Sequence, residues 1–459
     1  MNRSVLNMAK EIAGKTVEQW TQGNPYIHDI VDGKPVFWVN DKKGNFEAEK
    51  DQVQFSAEDI KDAADRWDRF APWFEIAFED TKETKGIIEG PYTRIDNFKA
   101  DVEKRYGVDI AGDMYVKRDD LLPIAGTIKA RGAIYEVIHH AEELAIEKGL
   151  LSGYDDDYTK FASDEFKDAF SNYSVVVGTT GNLGISVGVT AAAFGFQSIV
   201  HMSSDAKQWK KDFLRKNGAE VVEHNTDFTE AVNQGRRASE ADPNSYFVDD
   251  EDSIYLYLGY TTAAQRLAKQ LEDDGIKVDD DHPLFLWLPC GVGGSPGGIT
   301  FGAKHIFGDN VHAFFAEPTH VPSLLLGILT GQFSGVHVGD FGIDGQTVMD
   351  GLAVPRTSQF VSQVMEHFFD GGYTLTDDEA NRNLTRLYDT EEIFLEPAAT
   401  AGLSGPAYLF KSEEGQKYIK DKGLNMDNAT HIAWGTGGSM VPGEDRKVFY
   451  LSLIHISEP

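Results

Sequence analysis

The sequence predicts an α/β fold with two domains. Three observations support this prediction: short apolar strands alternate with helical segments, several strands run directly into turns of small residues, and 459 residues can bury two substantial cores. Ligands of open α/β sheets bind beyond the carboxyl ends of the strands. The pattern therefore also predicts the edge at which a ligand should lie.

The composition excludes several classes of function. Acidic residues outnumber basic ones by 74 − 43 = 31, which gives the formal charge of −31 and argues against nucleic acid or an anionic membrane as a partner. Cys290 is the only cysteine, so no internal disulfide can form and a reducing compartment is expected. No apolar run approaches the ~18 residues of a membrane span, and the N-terminus shows no signal-peptide pattern. We expect a cytoplasmic protein.

The first third of the chain leads to a single lysine, Lys129. Residues 1–55 carry no motif, residues 57–78 have apolar positions at helical spacing, and residues 114–117 read as a strand. A helix is predicted over 134–148, with Thr127 as its N-cap and Lys129 in its first turn. A cation there opposes the helix dipole, so this lysine should gain from losing its charge, for example as a Schiff base. The alternative is a surface lysine at the start of a helix.

A parallel sheet is predicted between residues 174 and 248. Strands at 174–177, 198–202, 219–222 and 246–248 alternate with helices. The first strand runs into the small-residue turn 178–184, which contains Thr180 and Asn182. This turn is typical of an anion site at a helix N-terminus, and the alternative is that both side chains are ordinary helix caps.

A second strand, turn and helix unit spans residues 284–306. Its turn, 289–298, contains five glycines, and backbone N–H groups at such a turn bind anions. A dinucleotide fingerprint fails because Pro296 occupies the position of the third glycine, and the Lys-Ser/Thr pair of a P-loop is missing. The turn therefore favours a single phosphate, with a purely structural glycine turn as the alternative.

Two later strands also end in candidate site residues. Strand 313–316 ends at Glu317, and strand 431–434 ends in a glycine-rich turn that contains Thr436. Each can also be structural, as a buried carboxylate and as an ordinary turn. Residues 451–459 match nothing before them, and we expect a non-native tail there.

These parts together match pyridoxal phosphate. The lysine amine suits its aldehyde, the glycine turn suits its phosphate, and the neutral hydroxyl of Thr436 suits its ring nitrogen. Paired catalytic carboxylates, a His/Cys metal cluster and a Gly-x-Ser-x-Gly elbow are all absent from the sequence.

The chain resembles the threonine-dehydratase-like, fold-type-II family of pyridoxal phosphate enzymes, and within it the bacterial enzymes that dehydrate D-serine. The resemblance runs from about residue 57 to about residue 442. It rests on the motifs at 128–132 (IKARG), 180–184 (TGNLG), 289–294 (PCGVGG), 315–320 (FAEPTH), 350–353 (DGLA), 395–397 (LEP) and 434–442 (WGTGGSMVP). It implies two open twisted sheets with flanking helices, as in the tryptophan synthase β subunit. The expected domains are a large cofactor-binding one (1–140 and 258–450) and a small one (141–257).

The resemblance also implies roles for individual residues. Lys129 would form the Schiff base and act as the base, and Thr436 would face the ring nitrogen. Further expected contacts are the phosphate with Gly291, Gly293, Gly294 and Ser295, the ring 3′-oxygen with Asn182, the substrate with Thr180, Gly181 and Asn182, and a monovalent cation such as K⁺ with Glu317. Thr180 and Gly181 would lie near the substrate carboxylate. Three residues depart from the family pattern: Ser295 replaces a glycine, Thr127 a serine and Ser439 a glycine.

The expected reaction is the dehydration of D-serine to pyruvate and ammonia. Alternatives are a dehydratase or racemase acting on threonine, L-serine or 3-hydroxyaspartate, and a pyridoxal-phosphate-binding protein without activity. We expect a small-molecule amino acid as the only type of partner, and a monomer or a homodimer.

Overall fold

The computed structural model describes residues 11–179, 181–204, 206–225 and 228–451. This part of the chain contains thirteen strands, which are β1 (Glu11–Ile12), β2 (Lys15–Thr16), β3 (Phe37–Val39), β4 (Tyr92–Arg94), β5 (Asp113–Arg118), β6 (Ser174–Gly178), β7 (Gln197–Ser203), β8 (Glu220–His224), β9 (Ser245–Val248), β10 (Leu284–Pro289), β11 (Val311–Pro318), β12 (Gly371–Leu375) and β13 (Thr430–Gly435).

The same residues contain eighteen α-helices, which are α1 (Val17–Gly23), α2 (Pro25–Val31), α3 (Phe46–Glu49), α4 (Ala57–Ala77), α5 (Asp96–Tyr106), α6 (Lys129–Glu147), α7 (Asp164–Phe170), α8 (Asn182–Phe194), α9 (Gln208–Lys216), α10 (Phe228–Glu240), α11 (Ile254–Asp273), α12 (Gly294–Phe307), α13 (Ser323–Thr330), α14 (Gln359–Phe368), α15 (Asp377–Glu391), α16 (Gly405–Lys411), α17 (Glu413–Lys422) and α18 (Gly443–Leu451). Short 3₁₀ helices lie at Lys50–Gln52, Glu79–Thr81, Asp119–Leu121, Tyr158–Ala162, Gly308–Asn310, Phe333–Gly335, Val338–Phe341, Asp350–Leu352, Pro397–Ser404 and Met426–Asn428.

The larger sheet has seven strands in the order β3-β12-β11-β10-β13-β5-β4. The five inner strands are parallel, and β3 and β4 pair antiparallel at the two edges. Strand β10 lies at the centre and is buried along its whole length, as expected for an apolar strand covered on both faces. The carboxyl ends of its neighbours β11 and β13 lie beside its own.

The smaller sheet has four parallel strands in the order β8-β7-β6-β9. This confirms the parallel sheet predicted between residues 174 and 248. The two open sheets with flanking helices also confirm the predicted fold class. Among the described helices, none combines the length and the apolar character that a membrane crossing requires.

Close packing of α6, α11 and α12 depends on glycines. A Cβ added to Gly298 would lie 2.7 Å from the carbonyl oxygen of Tyr257, and one added to Gly259 would lie 2.5 Å from that of Arg131. Real Cβ atoms do not approach backbone oxygens so closely, so larger residues would push these helices apart. Gly298 of the glycine turn and Gly259 of α11 thus serve helix packing rather than a ligand.

The structure corrects one local prediction. Helix α6 begins at Lys129 itself rather than at residue 134, and its N-cap position is Ile128 rather than Thr127; Ile128 makes no side-chain cap hydrogen bond. The Thr127 hydroxyl donates to the backbone carbonyl of Thr436 at 3.0 Å and accepts from Lys129 N only at 3.5 Å. A distant loop satisfies this hydroxyl, which local sequence could not reveal.

Three sequence predictions are not decided by these observations. Helices α6 and α11 run across the predicted domain boundaries at residues 140 and 258, so the division into domains stays a prediction. Thr180 lies outside the described residues, as do residues 452–459 of the expected non-native tail.

Candidate active site

The predicted site residues lie at the carboxyl ends of parallel strands. In the larger sheet, β5 leads to Lys129, β10 to the glycine turn and β13 to Thr436; in the smaller sheet, β6 leads to Asn182. Strands β10, β13 and β5 are neighbours, so their following loops must meet at one edge. An isolated β-bridge between Thr127 and Gly437 joins two of these loops directly.

Lys129 is held by an aspartate that the sequence analysis did not single out. Its Nζ donates to both carboxylate oxygens of Asp250, each at 2.9 Å. Asp250 follows β9, so this contact connects the carboxyl ends of the two sheets. Burial is the largest single influence and lowers the pKa of the Lys129 amine, but the combined effects of Asp250 and Tyr260 outweigh it and the net pKa is raised. In the free chain the lysine is therefore a stable ammonium, contrary to the expectation from the helix dipole alone.

A buried ion network fixes the first turn of α6. The Arg131 guanidinium donates to both oxygens of Asp119, each at 2.7 Å, and pairs with Glu89. Trp434 in β13 donates to the same Asp119 carboxylate at 2.7 Å. The network therefore holds the helix turn that contains Lys129 next to β13, the strand that leads to Thr436. Burial raises the pKa of Glu89, but Arg131 and Lys117 outweigh it and bring the pKa down to about 2.

The glycine turn after β10 forms an open helix N-terminus. Helix α12 begins at Gly294, and its N-cap, Gly293, has φ of +107° and no side-chain cap. The N–H groups of Gly294 and Ser295 lie in the first turn, where no carbonyl of the same helix can accept them. The carbonyl of Val292 accepts from Ser358 N at 3.0 Å and from the Thr357 hydroxyl at 3.1 Å, so it is already occupied. The turn thus leaves backbone donors for an anion.

Thr436 lies directly beside the start of the lysine helix. Its carbonyl accepts from Ile128 N at 2.8 Å, and its side chain is buried. Through this backbone hydrogen bond, Thr436 lies next to Ile128, the residue that precedes Lys129. That its hydroxyl faces the ring nitrogen stays a prediction.

Asn182 meets a second carboxylate, Glu396. Its Nδ2 donates to Glu396 Oε1 at 3.1 Å. Burial raises the pKa of Glu396, and the charges of Asp350 and Asp120 add to that effect, against Lys210 and Asn182. A Cβ at the adjacent Gly181 would overlap the Nζ of Lys210, so only glycine permits that lysine to come so close.

Glu317 has a structural role in this chain. It is fully buried in β11, and its two oxygens accept from Leu324 N at 2.8 Å and Leu325 N at 3.0 Å in the first turn of α13. Burial raises the pKa of Glu317 to about 8, although the two N–H groups oppose this. The carboxylate thus caps α13, as the structural alternative predicted.

The residues present fit pyridoxal phosphate. The hydroxyl of Tyr260 is buried and has no hydrogen-bond partner among the described residues, and a Cβ at Gly294 would lie 3.8 Å from its ring. An unpaired buried donor beside unpaired backbone N–H groups suits a phosphate. We call the N–H groups of Gly294 and Ser295 the phosphate cradle. The charge of Lys129 also acts on Tyr260, so the lysine amine lies close to this cradle.

Sequence reasoning missed the side chains that complete the site. Asp250, Tyr260, Lys210 and Glu396 stand outside every glycine turn, and only Glu396 falls in a quoted motif. The one usable signal was the Leu-Glu-Pro stretch at 395–397, where a carboxylate precedes a rigid proline. The other three come to the site through the packing of α9, α11 and the loop after β9.

Comparison with known proteins identifies the family to which the chain belongs. The sequence profile of the family described as "Pyridoxal-phosphate dependent enzyme" matches residues 84–418. The chain therefore belongs to this family of pyridoxal-phosphate dependent enzymes. The family resemblance expected from the motifs is confirmed, and with it pyridoxal phosphate as the cofactor.

Within this family, particular relatives are much more similar. A protein of Geobacillus stearothermophilus named "Probable D-serine dehydratase" is 49% identical over 442 residues, which cover 96% of each chain. A protein of the same name from Geobacillus kaustophilus is 50% identical over 423 residues, or 92% of this chain and 96% of that one. Among solved structures, holo diaminopropionate ammonia lyase from Escherichia coli superposes with a TM-score of 0.67 at 18% identity, covering 92% of this chain and 99% of that one. This last likeness supports the fold alone.

Proposed function

We propose that this protein uses pyridoxal phosphate to dehydrate D-serine to pyruvate and ammonia. The observation that carries the proposal is the meeting of a lysine amine, an open phosphate cradle and an amide side chain at one edge of the sheets. The two relatives named for this activity, at about half identity over nearly the whole chain, support the choice of substrate.

Lys129 would anchor the cofactor through its Nζ. The turn at Gly291, Gly293, Gly294 and Ser295 would hold the phosphate, and Asn182 would bond the ring oxygen. When bound, pyridoxal phosphate supplies an electron sink that weakens the bond between the substrate α-carbon and its hydrogen. The proton transfers depend on side chains of this protein.

The lysine amine must lose a proton before it can act as a nucleophile or a base. Asp250 is the group placed to accept that proton, because both its oxygens contact Nζ. The neutral amine of Lys129 would then remove the α-proton of the substrate.

The overall reaction balances without a redox partner. The α-proton and the β-hydroxyl leave as one water, which gives 2-aminoacrylate. One water returns when this product hydrolyses to pyruvate and ammonia. Thr436 would leave the ring nitrogen uncharged, because a hydroxyl supplies no negative charge, and this favours elimination over reactions that need a long-lived carbanion.

The test combines a chemical label with an activity assay. Borohydride reduction of the holoenzyme should leave a pyridoxyl group on Lys129, found by peptide mass spectrometry. Lys129→Ala should lose both the label and pyruvate formation, whereas Lys148→Ala, at the exposed end of the same helix, should keep both. A label on another lysine would contradict the assignment. Pyruvate from L-serine or threonine in preference to D-serine, or none at all, would contradict the substrate.

We also propose a monovalent cation beside Glu317. The Ser323 hydroxyl in the same turn is buried without a hydrogen-bond partner among the described residues, so it offers a second oxygen ligand. If the cation binds there, K⁺ should raise the melting temperature of the parent and not that of Ser323→Ala. An equal gain in both would place the cation elsewhere.

The proposed setting is the cytoplasm, because the one thiol, Cys290, is buried and a reducing compartment would keep it free. The absence of a nucleic acid or membrane partner is proposed from the net charge of −31. A monomer or a homodimer also stays part of the proposal.

A further inference from the structure

Helix α9 carries two neighbouring buried lysines with different surroundings. Lys211 Nζ donates to the Ser204 carbonyl at 2.7 Å and to Glu223 at 2.8 Å. Lys210 has no hydrogen bond and no carboxylate within 4.0 Å among the described residues, although it is only 9% exposed. Its Nζ lies 5.6 Å from the centre of the Trp209 ring and against the backbone of Gly181.

A buried cation without a close partner is costly. Lys210 is 9% exposed and so loses much of its hydration, and contact with an aromatic ring replaces only part of it. Glu396 acts on Lys210 electrostatically from beyond ion-pair distance, and burial raises the pKa of Glu396, which weakens its negative charge. Lys210 therefore has an unused capacity to bind an anion.

The surroundings of Lys210 already favour an anion. Gly181 is the N-cap of α8, a helix of 13 residues whose N-cap makes no side-chain hydrogen bond. The first N–H groups of this helix and its dipole point toward the space that Lys210 borders. Two independent sources of positive potential thus meet at one turn, next to Asn182.

We propose that Lys210 binds the α-carboxylate of the amino-acid substrate. This inference rests on the proposed function, because the substrate must enter beside Lys129 and Asn182. A free carboxylate would pair with the Lys210 ammonium and with the N–H groups at the start of α8. A neutral amide at the same position would leave the ammonium unpaired. Lys210 would therefore select free amino acids over their amides.

The experiment uses the holoenzyme and two ligands that lack the leaving hydroxyl, D-alanine and D-alaninamide. Each is titrated against the absorbance of the bound cofactor, and the D-serine reaction is followed in parallel. Lys210→Met should weaken D-alanine binding by about 10-fold or more, a loss of about 1.4 kcal/mol, and leave D-alaninamide binding nearly unchanged. The KM for D-serine should rise more than kcat falls.

Matched variants separate charge from structure. Lys210→Arg should restore most of the D-alanine affinity, Lys210→Gln should behave like the methionine variant, and Lys216→Met, exposed on the same helix, should match the parent. Unchanged D-alanine binding in both the methionine and glutamine variants overturns the inference. Equal losses for D-alanine and D-alaninamide overturn it too.

Failure of the proposed function gives a different result. If the parent forms no pyruvate from D-serine, the dehydratase proposal falls. A selective effect of Lys210 on D-alanine would still support the carboxylate site in that case.

Discussion

At the scale of single residues, the amine of Lys129 is charged and forms an ion pair with Asp250. Asp250 contacts Lys129 Nζ with both oxygens and raises the pKa of the amine, although burial alone would lower it. An ammonium cannot attack an aldehyde. Cofactor loading must therefore first move a proton away from Lys129.

Asp250→Asn should make cofactor loading less dependent on high pH. Without the carboxylate, burial remains as the main influence and the pKa of the amine falls. The pH at which the rate of cofactor loading reaches half its maximum should fall by about one unit or more. One unit corresponds to only about 1.4 kcal/mol. The measurement is the rate at which apoprotein gains cofactor absorbance, from about pH 6 to about pH 10.

Asp252→Asn is the matched control, because it removes an exposed negative charge two residues away. Its loading profile should coincide with that of the parent. A profile for Asp250→Asn that coincides with both would mean that Asp250 does not set the charge of Lys129.

The residues that sequence could predict are those whose meaning is local. Lys129, Gly293 and Asn182 follow strands and open helices, and a strand followed by a small-residue turn is visible in a few residues. Asp250, Tyr260 and Lys210 gain their roles only from contacts between distant parts of the chain, such as Lys129 with Asp250 across 121 residues. The N-cap position at Thr127 was wrong by one residue, and the shorter hydrogen bond of that hydroxyl, to a carbonyl 309 residues away, is equally invisible in the local sequence.

At the scale of elements, backbone rather than side chains forms the phosphate cradle. Two adjacent glycines, Gly293 and Gly294, form the start of helix α12, and no side chain caps it. A cradle made of N–H groups carries no full charge, so its strength depends on how closely an anion can approach.

Gly293→Ala should weaken pyridoxal phosphate binding by about 10-fold or more, which corresponds to about 1.4 kcal/mol. Its φ of +107° is unfavourable for alanine, and the added Cβ would lie 3.2 Å from both Leu324 and Val361. The turn must shift to accommodate it, and the N–H groups shift with the turn. Equilibrium dialysis of the cofactor against the apoprotein measures the change.

Gly308→Ala supplies the control at the other end of α12. Gly308 also has a positive φ, of +58°, but a Cβ there would meet nothing within 4 Å. It should lower the melting temperature without changing cofactor affinity. Equal affinity losses in the two variants would mean that general destabilisation, not the cradle, controls binding.

The predicted elements were reliable where apolar strands met glycine turns. Strand β10 spans Leu284–Pro289 against a prediction of 284–288, whereas α12 begins at Gly294 instead of residue 299. Glycines in the first turn hid the helix start, because glycine has low helix propensity. Tertiary packing against Tyr257 and Tyr260 of α11 compensates for that low propensity.

At the scale of the whole molecule, α6 and α11 connect the two sheets. The buried carboxylate of Glu136, in α6, accepts from the Tyr246 hydroxyl of β9 and from the Ser253 hydroxyl at the start of α11, each at 2.8 Å. No basic side chain is paired with Glu136 among the described residues. Burial raises its pKa to about 8, the Asp249 and Asp250 charges add to this, and the two hydroxyls oppose it.

Glu136 should make the free energy of unfolding fall as pH rises from about 4.3, the ordinary pKa of glutamate, to about 8. Over this range the folded chain holds a proton that the unfolded chain has released, so higher pH favours unfolding. Below about pH 4.3 the contribution is fully present, and above about pH 8 it is lost. Glu136→Gln cannot titrate, so its stability relative to the parent should rise across the window and then level off.

Urea unfolding at a series of pH values measures this difference. The free energy of unfolding of the variant can differ from that of the parent at every pH, because an amide also brings an N–H group to the site. The informative quantity is therefore the slope of the free energy of unfolding against pH. Glu143→Gln, exposed on the same helix, should give a curve parallel to the parent. If Glu136→Gln is parallel as well, Glu136 is ionised in the folded protein, and the junction between the two sheets then contains a buried carboxylate whose charge only the hydroxyls of Tyr246 and Ser253 stabilise by direct hydrogen bonds.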